Sequence, residues 1–233
     1  DWLFGAPTAT QFIEQVTTAN RSHFLERDQA SVFARSINTE RDLRNALPDK
    51  DLVGGTTAVQ YAHPVTGALS TNRLAEQLQM VARMVSAQLA LGVRRQVFFV
   101  SLGGFDTHGG EKATQTAQLR TLDQAVTAFR KALAASPRAS DVVIMCYSEF
   151  GRRVKANASE GTDHGTAGDL FLIGDRVKAG FHGDAPSLTD LADGDLKVTT
   201  DFRSVYAEVV STVLGGDADR VVGKAPAKLG VLR

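Results

Sequence analysis

The 233 residues include a single cysteine, Cys146, so no internal disulfide can brace the fold, and its place within an apolar run marks it as a small buried hydrophobe. Neither sign of charge is in excess. Lys and Arg number 26 and so do Asp and Glu, which leaves no global basic field for nucleic acid or an anionic membrane and no acidic excess for a basic partner. No apolar run approaches the roughly 18 residues that a membrane-spanning helix needs, and the opening Asp1-Trp2-Leu3-Phe4 carries no basic leader. The chain begins without an initiator methionine and reads as a processed or partial product. No internal repeat or low-complexity tract divides it.

What is present is an ordinary globular composition, 43% hydrophobic and 22% charged, enough to bury a full core as one α/β domain or as the C-terminal portion of a larger one. Residues 1–67 form a helical and irregular lead-in, and residues 68–233 carry the α/β core with its polar signatures. In the lead-in, Thr10 to Arg35 and the shorter Thr39 to Leu47 have imperfect helical spacing, and Pro48 to Gly67 reads as loop. His23 and His63 read as surface or packing residues, as do Met80 and Met84.

A long helix follows. Ser70 or Thr71 is placed to cap it, Leu74, Leu78, Val81, Val85 and Leu89 form its stripe, and Gly92 ends it. Two near-continuous apolar runs, Gln96–Leu102 and Asp141–Tyr147, have the length and character of strands buried on both faces. Between them Leu119, Leu122, Val126, Phe129 and Leu133 recur at helical steps. Strand, helix, strand is the crossover unit of a parallel sheet, so the expected architecture is a mainly parallel sheet flanked by helices. Leu170–Gly174 is a third short strand, Asp175–Lys197 a surface excursion with a short hairpin, and Thr200–Leu214 a last amphipathic helix ending at Gly215-Gly216. The tail to Arg233 reads as peripheral.

Three polar signatures stand in or just after these elements: Gly103-Gly104-Phe105-Asp106-Thr107-His108, Ser148-Glu149-Phe150-Gly151-Arg152 and Gly161-Thr162-Asp163-His164-Gly165. In open α/β sheets, ligands sit beyond the carboxyl ends of the strands, where Asp106, His108 and Glu149 fall. Asp106 and His108, two apart in a glycine-flanked loop, would point the same way from extended backbone and offer one oxygen and one imidazole nitrogen. As a strand-end loop the same pair could instead cap the following helix. Glu149 could bind a cation or pair with Arg152 or Arg153; Arg152 could hold an anionic oxygen or act only as a structural partner. Asp163 and His164 are adjacent, so their side chains diverge and one could orient the other. Three carboxylates and two imidazoles suit zinc or manganese better than calcium, for one ion or two.

These signatures, in this order and at these separations, closely resemble the bacterial domain of unknown function 1501 family, itself similar to the alkaline phosphatase superfamily. The resemblance spans roughly Leu74 to the C-terminus. It implies an alkaline phosphatase-like fold, export by a twin-arginine signal to the periplasm, and a divalent-metal site in which Asp106 and His108 serve one ion, with Glu149 at the strand-end aspartate position and His164 at the later histidine. Phe150 stands where that superfamily has a ligating histidine, and Gly165-Thr166-Ala167-Gly168 follow His164 where an aromatic and more glycines are the rule. Family members usually begin with a strand and a Gly-Gly-Asn-Asp-like turn, and the superfamily keeps its nucleophile in that half; neither is found here. Metal-assisted hydrolysis or transfer of phosphate or sulfate esters, with Arg152 steadying negative charge, is therefore expected. The rival expectations are a non-catalytic exported protein that binds metal or a partner, and a purely structural hydrogen-bond network.

Overall fold

The computed structural model describes residues 15, 22–48, 60–62, 67–224 and 226–233. The core lies between two helices. In α2 (Arg73–Ser86, α1 being Phe24–Ala46), Leu74, Ala75, Leu78, Val81 and Ala82 turn toward Ala125, Phe129, Ala132 and Leu133 of α3 (Glu111–Leu133). Small residues set the contact: Ala82 and Ala125 are wholly buried, which lets the helix backbones approach and leaves room for Phe129. Burial of the Phe129 ring contributes about 1.5–3 kcal/mol.

The cap of α2 is Asn72 rather than Ser70 or Thr71. Its side-chain oxygen accepts from the Ala75 amide at 3.1 Å while its Nδ2 donates to the Thr121 carbonyl of α3 at 2.9 Å, so one buried amide both starts a helix and ties it to its neighbour. The helix ends at Ser86, earlier than the stripe predicts, and Leu89 is exposed in the turns that lead to Gly92, whose φ of 65° needs glycine. On α3 the buried face is carried by Ala117, Thr121 and Ala125 as much as by the large residues, and Leu119 faces solvent.

The lead-in helix α1 is continuous through the predicted break before Thr39, with Ile37 its buried residue and Phe24, Val32 and Phe33 exposed. His23 precedes it and stacks on Phe24, as a packing histidine would. Arg83 Nε donates to the Pro48 carbonyl at 2.9 Å and fastens the end of this segment to α2. Strands β1 (Gln60–Ala62) and β2 (Leu69–Thr71) pair antiparallel; His63 lies outside the described residues.

Four two-stranded ladders are formed among the described residues, and all are antiparallel: β1 with β2, β3 (Ile144–Tyr147) with β6 (Leu170–Ile173), β4 (Gly151–Ala156) with β5 (Thr162–Gly165), and β7 (Leu191–Ala192) with β8 (Asp195–Leu196). The parallel pairing expected between Gln96–Leu102 and Asp141–Tyr147 is not among them. Phe98, Val100, Leu102, Val142 and Ile144 all pack against the α2–α3 core, while Val97 and Phe99 face outward. Both runs thus reach the helices, but β3 takes β6 as its hydrogen-bond partner. The first run is held at Ser101, whose amide and carbonyl exchange bonds of 3.1 and 3.0 Å with the Gln77 side-chain amide. A Gln side chain there does the work of a neighbouring strand. Cys146 is half-buried in β3, and burial pushes its thiol pKa up.

The last helix, α4 (Phe202–Thr212), is capped by Asp201, whose carboxylate accepts from the Arg203 amide at 2.9 Å. A short helix α5 (Ala218–Val222) follows, capped by Asp217. The tail is not peripheral. Val231 and Leu232 are buried, and Glu208 of α4, only 3% exposed, accepts the Gly230 and Leu232 amides at 2.9 and 2.7 Å. The tail also bridges to Arg176, Val177 and Lys178 through backbone bonds.

Candidate metal centre

The loop 103–110 leaves the core after Leu102 and enters α3 through Gly110, whose φ of 53° is a left-handed turn at the helix start. It carries Asp106 and His108. The β4–β5 hairpin brings His164 to the same place from 58 residues away. His164 Nε2 lies 2.7 Å from Asp106 Oδ1, and His108 Nε2 lies 3.0 Å from that same oxygen. One ligating atom from each residue falls within 4.8 Å of the others, and among the described residues no other group of this kind is formed.

The chemistry of the donors fits a small divalent ion. One carboxylate oxygen and two imidazole nitrogens make three protein ligands with a side left open, and neighbouring ligands at about 2.0–2.1 Å from a tetrahedral ion would stand roughly 3.3 Å apart. The side chains of Asp106, His108 and His164 are 63, 50 and 44% exposed, so that open side faces solvent. The hydrogen bond from His164, with both imidazoles beside the group, holds the Asp106 carboxyl below the ordinary aspartate value.

Asp163 does not join the three. Its Oδ1 stands 3.6 Å from His108 Nδ1, on the opposite side of the ring from Asp106 and beyond hydrogen-bonding distance. Asn157 holds that arrangement in place. Its Nδ2 donates to the His108 carbonyl at 3.1 Å and lies 3.4 Å from Asp163 Oδ1, while its Oδ1 accepts the Ser159 and Gly161 amides. Glu149 is exposed beyond the end of β3 and is not part of the cluster. Phe150 instead reaches the site: its ring stacks on His164 with centroids 3.9 Å apart and planes 10° from parallel.

Arg152 is turned inward. Its guanidinium donates to the Phe105 and Thr162 carbonyls, lies 3.4 Å from Thr107 Oγ1, and stands 3.8 Å from Glu111. Glu111 in turn accepts the Thr162 hydroxyl at 2.6 Å. Asn157 and Glu111 carry no signature in the sequence, because the bonds that tie them to the facing segment, to the His108 carbonyl and the Thr162 hydroxyl, span 49 and 51 positions. The glycines carry more than turns. A Cβ at Gly161 would stand 2.4 Å from the His108 carbonyl carbon, so the hairpin tip lies directly on the loop backbone.

A helix-flanked scaffold with an Asp-His-His cluster on a loop and an adjoining hairpin strand defines a candidate metal-binding domain. The chain belongs to the family described as Protein of unknown function (DUF1501), which it matches over residues 7–221. That match begins well before Leu74, so much of the lead-in is family sequence too. No curated protein and no solved structure matches the chain.

Proposed function

We propose that this protein holds a divalent metal ion, zinc or manganese, at Asp106, His108 and His164, and that the site serves hydrolysis or transfer of phosphate or sulfate esters. The observation that carries the reading is the convergence of two imidazole Nε2 atoms on one carboxylate oxygen. A bound ion would supply Lewis-acid polarisation of an ester oxygen and a more acidic bound water. Asn157 ties the His108 backbone and the Asp163 carboxylate to the hairpin, and the exposed side of the cluster gives an ester room to approach. The proposed alkaline phosphatase-like ancestry and export to the periplasm rest on the family resemblance. No described helix is long and apolar enough to cross a membrane.

A second reading, metal or partner binding without turnover, is favoured by two specific observations. Arg152 directs its donors to protein carbonyls rather than to open solvent, and the Thr162 hydroxyl is held by Glu111. Elemental analysis of the purified protein tests the metal, and an aryl phosphate and aryl sulfate screen tests turnover. Stoichiometric zinc or manganese, lost in Asp106→Ala and His164→Ala, supports the site; a wild-type protein without metal after zinc or manganese loading refutes it. Metal-dependent turnover selects the first reading, and metal without turnover the second.

A further inference from the structure

Deepening that metal-site reading, we propose that Arg152 is a positioning residue that holds the Asp106–His108 loop in register with the strand that bears His164, so that Asp106, His108 and His164 meet without rearrangement. Arg152 is the cross-strand partner of His164 in the β4–β5 ladder, and its side chain is 17% exposed. From there it reaches every part of the site. The Phe105 carbonyl adjoins Asp106, Thr107 lies between Asp106 and His108, and the Thr162 carbonyl is two residues before His164. The guanidinium carbon lies over Phe150, 5.1 Å from the ring centroid, and the Phe150 ring is the one stacked on His164. Glu111, the first residue of α3, stands beside Arg152 as counter-ion and holds Thr162 from its other oxygen.

Arginine suits this place because its planar fork presents several donors in fixed directions while its face stays free to stack. A lysine ammonium could bond one loop or sit over the ring, but it could not span both carbonyls and stack at once. The loop 103–110 is not part of any helix or ladder. The Gly110 and Glu111 amides donate to the Ser159 and Glu160 carbonyls and Asn157 donates to the His108 carbonyl, so its far end is tied to the hairpin, and the Phe105–Thr107 end is tied by Arg152. Removing Arg152 leaves the ligands chemically intact and the Phe105–Thr107 stretch that bears Asp106 free to drift from His164.

The test uses the full chain as Arg152→Gln, Arg152→Lys and Phe150→Leu, with two readouts. In the metal-free protein, ring proton resonances of His164 are followed by NMR; the Phe150 stack displaces them by ring current, and Phe150→Leu identifies that displacement. Cobalt(II) titration, read by its visible absorption, then gives metal affinity. The expected result is loss of most of the ring-current displacement in Arg152→Gln, with cobalt affinity weakened on the order of 10–100-fold and not rescued by Arg152→Lys. Unchanged His164 resonances in Arg152→Gln would overturn the inference, as would cobalt affinity equal to wild type. If the wild-type chain takes up no cobalt, the metal-site reading fails, and the histidine resonances still decide the role of Arg152. Should Arg152→Gln not fold, Arg152→Lys carries the same comparison, since it keeps the charge but not the fork.

Discussion

Replacing Glu208 by leucine gives the largest stability loss we expect from a single polar residue. Its carboxylate is 3% exposed and accepts two backbone amides, Gly230 at 2.9 Å and Leu232 at 2.7 Å. Hydrogen bonds to a charged acceptor are worth about 1.5–3 kcal/mol each, and a buried amide left without an acceptor costs about 1–3 kcal/mol. The tail could avoid that cost by peeling away, but it would then expose Val231 and Leu232, at about 1.5–3 kcal/mol per side chain. The routes cost about 2–6 and about 3–6 kcal/mol, so the loss centres on about 4 kcal/mol. For a domain of this size about 2–4 °C of Tm is lost per kcal/mol, so Glu208→Leu should melt on the order of 10 °C below wild type by calorimetry. Glu208→Gln, which retains one acceptor oxygen, should lose about half as much. A Glu208→Leu protein melting within about 2 °C of wild type would refute the reasoning, because it would mean that those two amides find water or new partners without loss.

Gly161→Ala should destabilise by about 1–3 kcal/mol and lower metal content, because its Cβ meets the His108 and Gly109 backbone; Gly103→Ala, with nothing within 4 Å, is the matched control and should be near neutral by melting temperature. Asp201 has its carboxyl pKa lowered, first by the Arg203 side-chain hydrogen bond and then by the Arg203 amide. A carboxyl lowered in the folded state contributes stability above its unfolded pKa of about 3.9 and loses it as pH falls through the folded value. Carbon NMR titration should therefore place the Asp201 midpoint below 3.8, and Asp201→Asn should remove that part of the acid-limb dependence in melting curves.

Helices α2, α3 and α4 are legible from apolar spacing, yet their faces and ends are only partly so. Leu89 and Leu119 fit the periodic stripe and face solvent, while Ala75, Ala82 and Ala125 form the tightest contact. Periodicity weighs side chains by hydrophobicity, whereas close helix approach selects for small volume. Asn72 was outcompeted in the sequence by two neighbouring hydroxyl residues with equal intrinsic capping ability; the Thr121 carbonyl across the core decides among them. The buried tail was invisible because its anchor is a glutamate in an otherwise apolar helix face, and such a residue reads as surface until its two amide donors are seen. Of the polar signatures, Asp106 and His108 meet as their spacing of two suggests and His164 joins them where strand-end reasoning expects Glu149, while Asp163 stands behind His108, Glu149 stays apart and Arg152 faces the protein.

The sequence by itself determined what depends on neighbours a few residues apart: the helical stretches, the glycine punctuation, the absence of an internal disulfide, and the glycine-flanked loop that presents Asp106 and His108; the glycine-flanked segment that carries His164 reads as loop and is strand β5. Tertiary structure alone decided which strands pair, which carboxylate bonds which imidazole, and which way Arg152 turns. Those outcomes rest on contacts about 10 to 58 residues apart in which a slip of one position sends every side chain to the opposite face. Local preference cannot fix such a register, and packing against α2 and α3 can.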